Sequence, residues 1–156
     1  MKTFRNVIND CIFSTRLIGF YVDIPIYLVM CNMKKAYEMN KEYIDDKIEE
    51  NSCAFVYKQR CNQFSDKAIE FCIFIHKNID YDNLSEKSKR VIIGHELGHI
   101  YRGKNLEFSS EDDADDYSVT HFGKLSKSEA KQIGVWMDNF YNTNDVFKYN
   151  IPLRFC

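Results

Sequence analysis

The sequence predicts an α+β protein with a small mixed or antiparallel sheet, and three observations carry that expectation. Stretches rich in β-branched and aromatic residues lie before residue 77, and capped helical stretches dominate after residue 85. No internal repeat and no Pro/Gly/Ser linker divides the 156 residues, a length that suits one domain. A chain of this size buries about 70% of its unfolded surface, so it needs neither disulfide nor metal merely to fold.

Residues 3–18 read as a first helix, with Phe4, Val7, Ile8, Cys11, Ile12 and Leu17 approximating one face. Tyr21 to Val29 is β-rich around Pro25, which would confine it to a sheet edge or a strand start. Residues 34–50 read as a charged surface helix. Ala54 to Tyr57 is a short strand, and Ile69 to His76 is apolar on both faces, as in a strand covered from both sides. Asn78 to Asn83 supplies turn residues, and Asn83 or Ser85 can cap the helix that follows. That helix spans about Ser85 to Tyr101, with Gly103 as a left-handed stop. A second runs from about Ser109 to Phe122 and stops at Gly123 by the same logic. A third begins at Ser126, with Glu129 at capping-box spacing, and reaches about Tyr141. The tail, with Pro152, reads as irregular.

Composition excludes several classes. With 21 basic against 23 acidic residues, a broad electrostatic grip on nucleic acid is not expected. The most apolar stretch, Ile18 to Met33, is broken by Asp23 and Pro25 and falls short of the ~20 residues of a membrane span. Arg5, Asn6, Asn9 and Asp10 occupy the positions where a signal peptide carries its apolar core. The six cysteines (Cys11, Cys31, Cys53, Cys61, Cys72, Cys156) include no C-x-x-C pair, so they read as reduced thiols of a cytoplasmic protein. Ten Tyr and twelve Phe point to an aromatic core more than to an aromatic binding surface.

The sharpest feature is His95-Glu96-Leu97-Gly98-His99. From this composition an H-E-x-x-H is expected by chance only ~0.006 times. Residues four apart in a helix project from one face, about 6 Å apart along the axis, so two imidazoles there can converge on one Zn²⁺ at ~2.0–2.1 Å. Glu96, offset by one residue, reaches the edge of such a site and can accept a proton from water there without ligating the metal. Val91, Ile92, Ile93, Leu97 and Ile100 surround the motif with apolar residues. Gly94 and Gly98 each cost about 1 kcal/mol relative to Ala in a helix interior. Their presence predicts that something packs closely against this helix, such as a strand, a metal or a substrate.

A catalytic zinc requires a third protein ligand and one open position. The metzincin continuation would place Gly at 102 and His at 105, whereas this chain has Arg102 and Asn105, which excludes that class. A carboxylate on the following helix is the alternative, and Glu111, Asp112, Asp113, Asp115 and Asp116 all offer one. Acids are also favoured in a first helical turn by the macrodipole, which accounts for some of them but less well for Asp115 and Asp116.

His95-Glu96-Leu97-Gly98-His99 followed by Glu111-x-x-Ala114-Asp115-x-Tyr117-Ser118 resembles the gluzincin metallopeptidases of the ImmA/IrrE type, which carry H-E-L-G-H and then an E-x-x-A-[N/D]-x-F-A-like helix. The resemblance covers roughly residues 50–122, including the apolar strand before the motif. Tyr117 and Ser118 stand where Phe and Ala are usual, and the nine-residue connection from Arg102 to Ser110 is short for the family. The resemblance implies a zincin-like fold, with the sheet packed against an active-site helix and a following glutamate helix. It implies a single metallopeptidase domain over 1–156, made of an N-terminal helix and strand (1–50), a core (51–123) and a C-terminal helix and tail (124–156). Carried over by position, it implies that His95, His99 and Glu111 bind one Zn²⁺ and that Glu96 is the general base. Asp115 would hydrogen-bond a ligand histidine and fix its tautomer; Asp112 and Asp113 remain rivals for the third ligand. The implied partner is a protein substrate, and the resemblance suggests a DNA-binding transcriptional repressor of the mobile-element or phage type.

A non-catalytic zinc-binding regulatory module is the alternative, and an antitoxin-like or phage-encoded interaction protein with vestigial catalysis is a third reading. His121, ten residues after Glu111, reads first as a helix C-terminal histidine and second as a group that steadies the reaction intermediate. His76, at the end of the apolar strand, reads as structural, with a place beside the cleft as its alternative.

Overall fold

The computed structural model describes residues 3–40, 52–60 and 69–141. The architecture is α+β, and the chain divides into two compact units, Met1–Lys77 and Asn78–Cys156.

The first unit is a four-stranded mixed sheet with two short helices. Its elements are α1 (Phe4–Val7), a 3₁₀ turn (Asn9–Cys11), β1 (Ile12–Tyr21), β2 (Ile24–Cys31), α2 (Met33–Met39), β3 (Ala54–Arg60) and β4 (Ile69–His76). The strand order is β1-β2-β4-β3; β2 and β4 run parallel, and the two outer pairs are antiparallel. The helix expected over 3–18 is therefore confined to one turn, and its second half is β1. The cause is local, because Ile12, Phe13, Thr15, Ile18, Phe20 and Tyr21 are β-branched or aromatic and favour a pleated ladder over a helix. The strand is an edge, largely exposed and interrupted by irregularities at Ile12/Ser14 and Leu17/Gly19, devices that blunt an open edge.

Tyr21 belongs to β1, and the expected strand begins at Ile24 after a tight Val22–Asp23 turn in which Val22 has φ 56. Pro25 sits at the start of β2, but that strand is interior to the sheet, not an edge. Pro25 is tolerated because its register partner lies on β1, while pairing with β4 starts only at Ile26 opposite Phe71. The charged helix expected over 34–50 ends at Met39, where Asn40 closes it; positions 41–50 lie outside the described residues. Asn32 caps its start through Lys35 N, at 3.1 Å. β3 continues three residues past Tyr57, and β4 has the predicted limits and is buried on both faces. Phe74 stacks on Phe55 at 5.0 Å and meets Phe4 edge-on at 5.3 Å, so the aromatic surplus serves the core of this unit. One polar cluster is embedded here, where Arg5 grips Glu70 through both carboxylate oxygens at 2.8 and 3.0 Å and Gln59 donates to the same carboxylate.

The second unit is helical, with α3 (Ile79–Asp82), α4 (Glu86–Tyr101), α5 (Glu111–Phe122) and α6 (Lys127–Tyr141). The stretch 78–83, expected as a turn, is a single helical turn capped by Asn78. Ser85 caps α4 by accepting from Ser88 N at 3.0 Å, and Ser110 caps α5 through Asp113 N at 3.1 Å. Ser126 and Glu129 form a reciprocal capping box at 3.0 and 3.1 Å. Glu129 also accepts from Ser85 Oγ at 2.7 Å, which ties the starts of α4 and α6 together. Trp136 is fully buried, its ring 5.7 Å from that of Tyr81. The C-terminal tail lies outside the described residues.

The close neighbour that Gly94 and Gly98 announce is helix α5. A methyl on Gly94 would lie 2.5 Å from the Phe122 ring, and one on Gly98 would lie 2.8 Å from the Ala114 backbone. Ser118 Oγ donates to Val91 O at 2.8 Å across the same seam. Gly123 ends α5 with φ 85 and ψ 172, a positive-φ conformation that favours glycine although not the αL stop itself, whereas Gly103 has no positive φ. A side chain there would collide with the Glu107 carbonyl oxygen, so Gly103 is needed for close approach within the α4–α5 connection.

Candidate metal centre

Helix α4 presents His95 and His99 one turn apart, with ring centroids 4.9 Å from each other and planes at 86°. Because α5 lies tight along the two glycines, its first turn reaches both rings. Glu111 Oε2 lies 2.8 Å from His95 Nε2, and Oε1 lies 3.3 Å from His99 Nε2. One ligand atom from each of His95, His99 and Glu111 lies within 4.8 Å of the others, and among the described residues no other His/Cys/Asp/Glu group of three or more converges this way. The Glu111 side chain is 74% exposed while the two imidazoles are 15% and 10% exposed, so one side of the group opens outward.

The outer nitrogen of each ring is held. Asp115 Oδ1 lies 2.6 Å from His95 Nδ1, and the Asp115 carboxylate is buried. His99 Nδ1 donates to the Ser109 carbonyl at 2.8 Å; a carbonyl only accepts, which puts the proton on Nδ1 and turns Nε2 toward Glu111. Burial alone would lower the His95 pKa, but hydrogen bonds to Asp115 and Glu111 and the Glu96 charge outweigh it and push it up to about 10. His99 is also raised: burial opposes, while Glu111, the Glu96 charge and the Ser109 carbonyl prevail. Hydrogen bonds from His95 and then His99 hold the Glu111 carboxyl well below the usual carboxylate range. Glu96 is buried, its position fixed in sequence between the two rings.

The other candidates separate from the group. Asp112 and Asp113 are exposed and lie outside it, and Asp116 pairs with Arg102 at 2.8 Å. His121 stacks on Tyr117 at 4.0 Å, its Nδ1 3.0 Å from the Tyr117 carbonyl, and is not part of the converging set. His76 is buried and accepts the Met33 N–H at 3.0 Å, at the start of α2; burial first, then the Lys34 charge, lowers its pKa to about 4. Ser109 had no signal in the sequence, because the group it contributes is a main-chain carbonyl.

Two imidazoles and a carboxylate suit a divalent cation of borderline character. Both outer nitrogens are already anchored, as the histidines of a metal site require, so the donor set present fits a metal ion. No family model, curated protein or solved structure matches the chain. Among the described residues no helix is long and apolar enough to cross a membrane.

Proposed function

We propose that this chain is a zinc-dependent endopeptidase of the ImmA/IrrE type, with a zincin-like fold, acting on a protein substrate in the cytoplasm. The observation that carries the reading is the convergence of His95 Nε2, His99 Nε2 and the Glu111 carboxylate, with Glu96 between the histidines. His95, His99 and Glu111 would hold the ion. A zinc ion held there would supply Lewis acidity toward a peptide carbonyl and would lower the pKa of water from 15.7 toward ~7. Glu96 accepts the proton of the attacking water at its carboxylate and returns it to the leaving amine. In the neutral ring that would bind an ion, Asp115 would keep the His95 proton on Nδ1 and leave Nε2 free to ligate. The exposed flank of Glu111 favours a three-ligand site open to substrate over a closed four-ligand structural site, which supports an enzyme over a zinc-binding regulatory module. Buried thiols at Cys11, Cys31, Cys53 and Cys72 are in keeping with a reducing compartment.

The substrate class we favour is a DNA-binding transcriptional repressor of the mobile-element or phage type, as a separate partner; direct binding of nucleic acid or membrane is not part of this reading. The test is to incubate the zinc-loaded protein with the repressor encoded beside its gene, with and without chelator. Cleavage that chelator abolishes, and that Glu96→Gln reduces ~10²–10⁴-fold while zinc content is kept, is the expected result. Wild-type turnover in Glu96→Gln refutes the assignment of the base.

A further inference from the structure

We infer that Ser109, held by the tight turn Lys104–Glu107, is a positioning residue that aims the His99 imidazole. The inference rests on His99 being a metal ligand, but its geometry is independent of which metal binds or whether the chain cuts a substrate. Three hydrogen bonds join Ser109 to the last turn of α4. Its carbonyl accepts His99 Nδ1–H at 2.8 Å, its N–H donates to His99 O at 2.9 Å, and its Oγ donates to Gly98 O at 3.2 Å. The same residue therefore grips the main chain and the ring of His99 together and leaves the ring one orientation. The next residue, Ser110, caps α5, and Glu111 follows at once, so a single segment sets both the second histidine and the third ligand.

That segment is delivered by an unusual turn. Glu107 N donates to Lys104 O at 2.9 Å, and the two residues between them, Asn105 (φ 54) and Leu106 (φ 64), are both left-handed. Asparagine tolerates this conformation, but leucine does not favour it. Gly103 completes the device, since a side chain there would strike the Glu107 carbonyl oxygen, and Gly103 N donates to Ile100 O at 3.2 Å. Left-handed backbone at a non-glycine residue persists only where its surroundings over-determine it, and here those surroundings are the ends of two helices bearing the candidate ligands. A slack nine-residue connection could join α4 and α5 equally well; this one is wound to bring a carbonyl to His99.

In ¹⁵N-labelled, chelator-treated wild-type protein, the His99 Nδ1–H appears as a ring proton protected from exchange with water. An unprotected proton overturns the inference, and this measurement needs no variant to fold. Gly103→Ala forces the turn open. It is expected to speed exchange of the His99 ring proton, to leave the His95 ring proton on Asp115 protected, and to weaken Zn²⁺ affinity about 10–100-fold in competition with a chromophoric chelator. A folded Gly103→Ala protein with wild-type affinity and a protected His99 proton overturns the inference. A protected proton in wild-type protein that binds no zinc refutes the zinc reading alone and upholds the positioning contact.

Discussion

Replacing Asp115 with Asn tests the support of the metal centre with the least change in shape. The buried carboxylate oxygen lies 2.6 Å from His95 Nδ1. Asn keeps an oxygen there to accept the ring proton but removes the negative charge. A charge-assisted hydrogen bond is roughly twice as strong as a neutral one, so the exchange weakens the hold on the ring by about 1–1.5 kcal/mol. Loss of ligand basicity adds to this and moves the deficit toward the 10–100-fold range of outer-shell substitutions. Proton competition acts in the opposite direction. His95, with its pKa near 10, must shed a proton to bind a metal at neutral pH, and removing Asp115 lowers that cost. The two effects are of similar size at pH 8, so any deficit is expected to be largest at the high end of the pH range and to shrink toward pH 6.5, where protons compete hardest with the wild-type site. Competition with a chromophoric chelator between pH 6.5 and 8.5 measures both the deficit and its slope. A deficit that grows as pH falls would refute the role given to Asp115.

The other expectations are simpler. Glu111→Ala lowers zinc content by elemental analysis, whereas full occupancy would transfer the third ligand to Asp112 or Asp113. His76 has a pKa of about 4 in the fold against 6.5 unfolded, so its stabilisation is complete above pH 6.5 and is lost as pH falls toward 4. That loss amounts to at most about 3 kcal/mol. Denaturant unfolding at pH 7.5 and 4.5 should show a smaller difference for His76→Gln than for wild type, and an unchanged difference counts against the linkage. Gly98→Ala puts a methyl 2.8 Å from the Ala114 backbone, and separating two helices costs ~1–3 kcal/mol against ~1 kcal/mol gained in helix propensity. Its unfolding midpoint should drop, and a midpoint at or above wild type would show that the seam tolerates the methyl.

The fold was legible where a residue's own chemistry dictates its element. Ser85, Ser126 and Glu129 predict caps because their side chains satisfy helix-start donors wherever such a start exists, and each does so here. The two-sided apolar run from Ile69 predicts a buried strand, as found. Residues 3–18 misled because apolar residues at Phe4, Val7, Ile8, Cys11 and Ile12 mimic a helical face while the strand that follows is an exposed edge. β1 is exposed along most of its length and so lacks the inward–outward alternation that marks a period of two, which leaves only the β-branched and aromatic content of 12–21 as a signal. Gly103 misled differently. Glycine after a helix most often means a left-handed stop, yet here the missing side chain makes room for the Glu107 carbonyl.

The candidate site divides along the same line. Helical spacing alone points to His95 and His99, whereas Glu111 and Asp115 follow from the family resemblance, since the acidic run by itself leaves Asp112 and Asp113 as rivals. His95 is steadied by a side chain, Asp115, twenty positions away. His99 is steadied by the main-chain carbonyl of Ser109, a group that every residue possesses and that no spacing can announce. What brings the carbonyl into place is left-handed backbone at Asn105 and Leu106, and leucine at such a position gives no warning of it. Two equivalent candidate ligands can thus rest on supports of unequal visibility. Substitution at Asp115 tests one ring by removing an atom, whereas the other ring answers only to changes that bend the chain, of which Gly103→Ala is the most local.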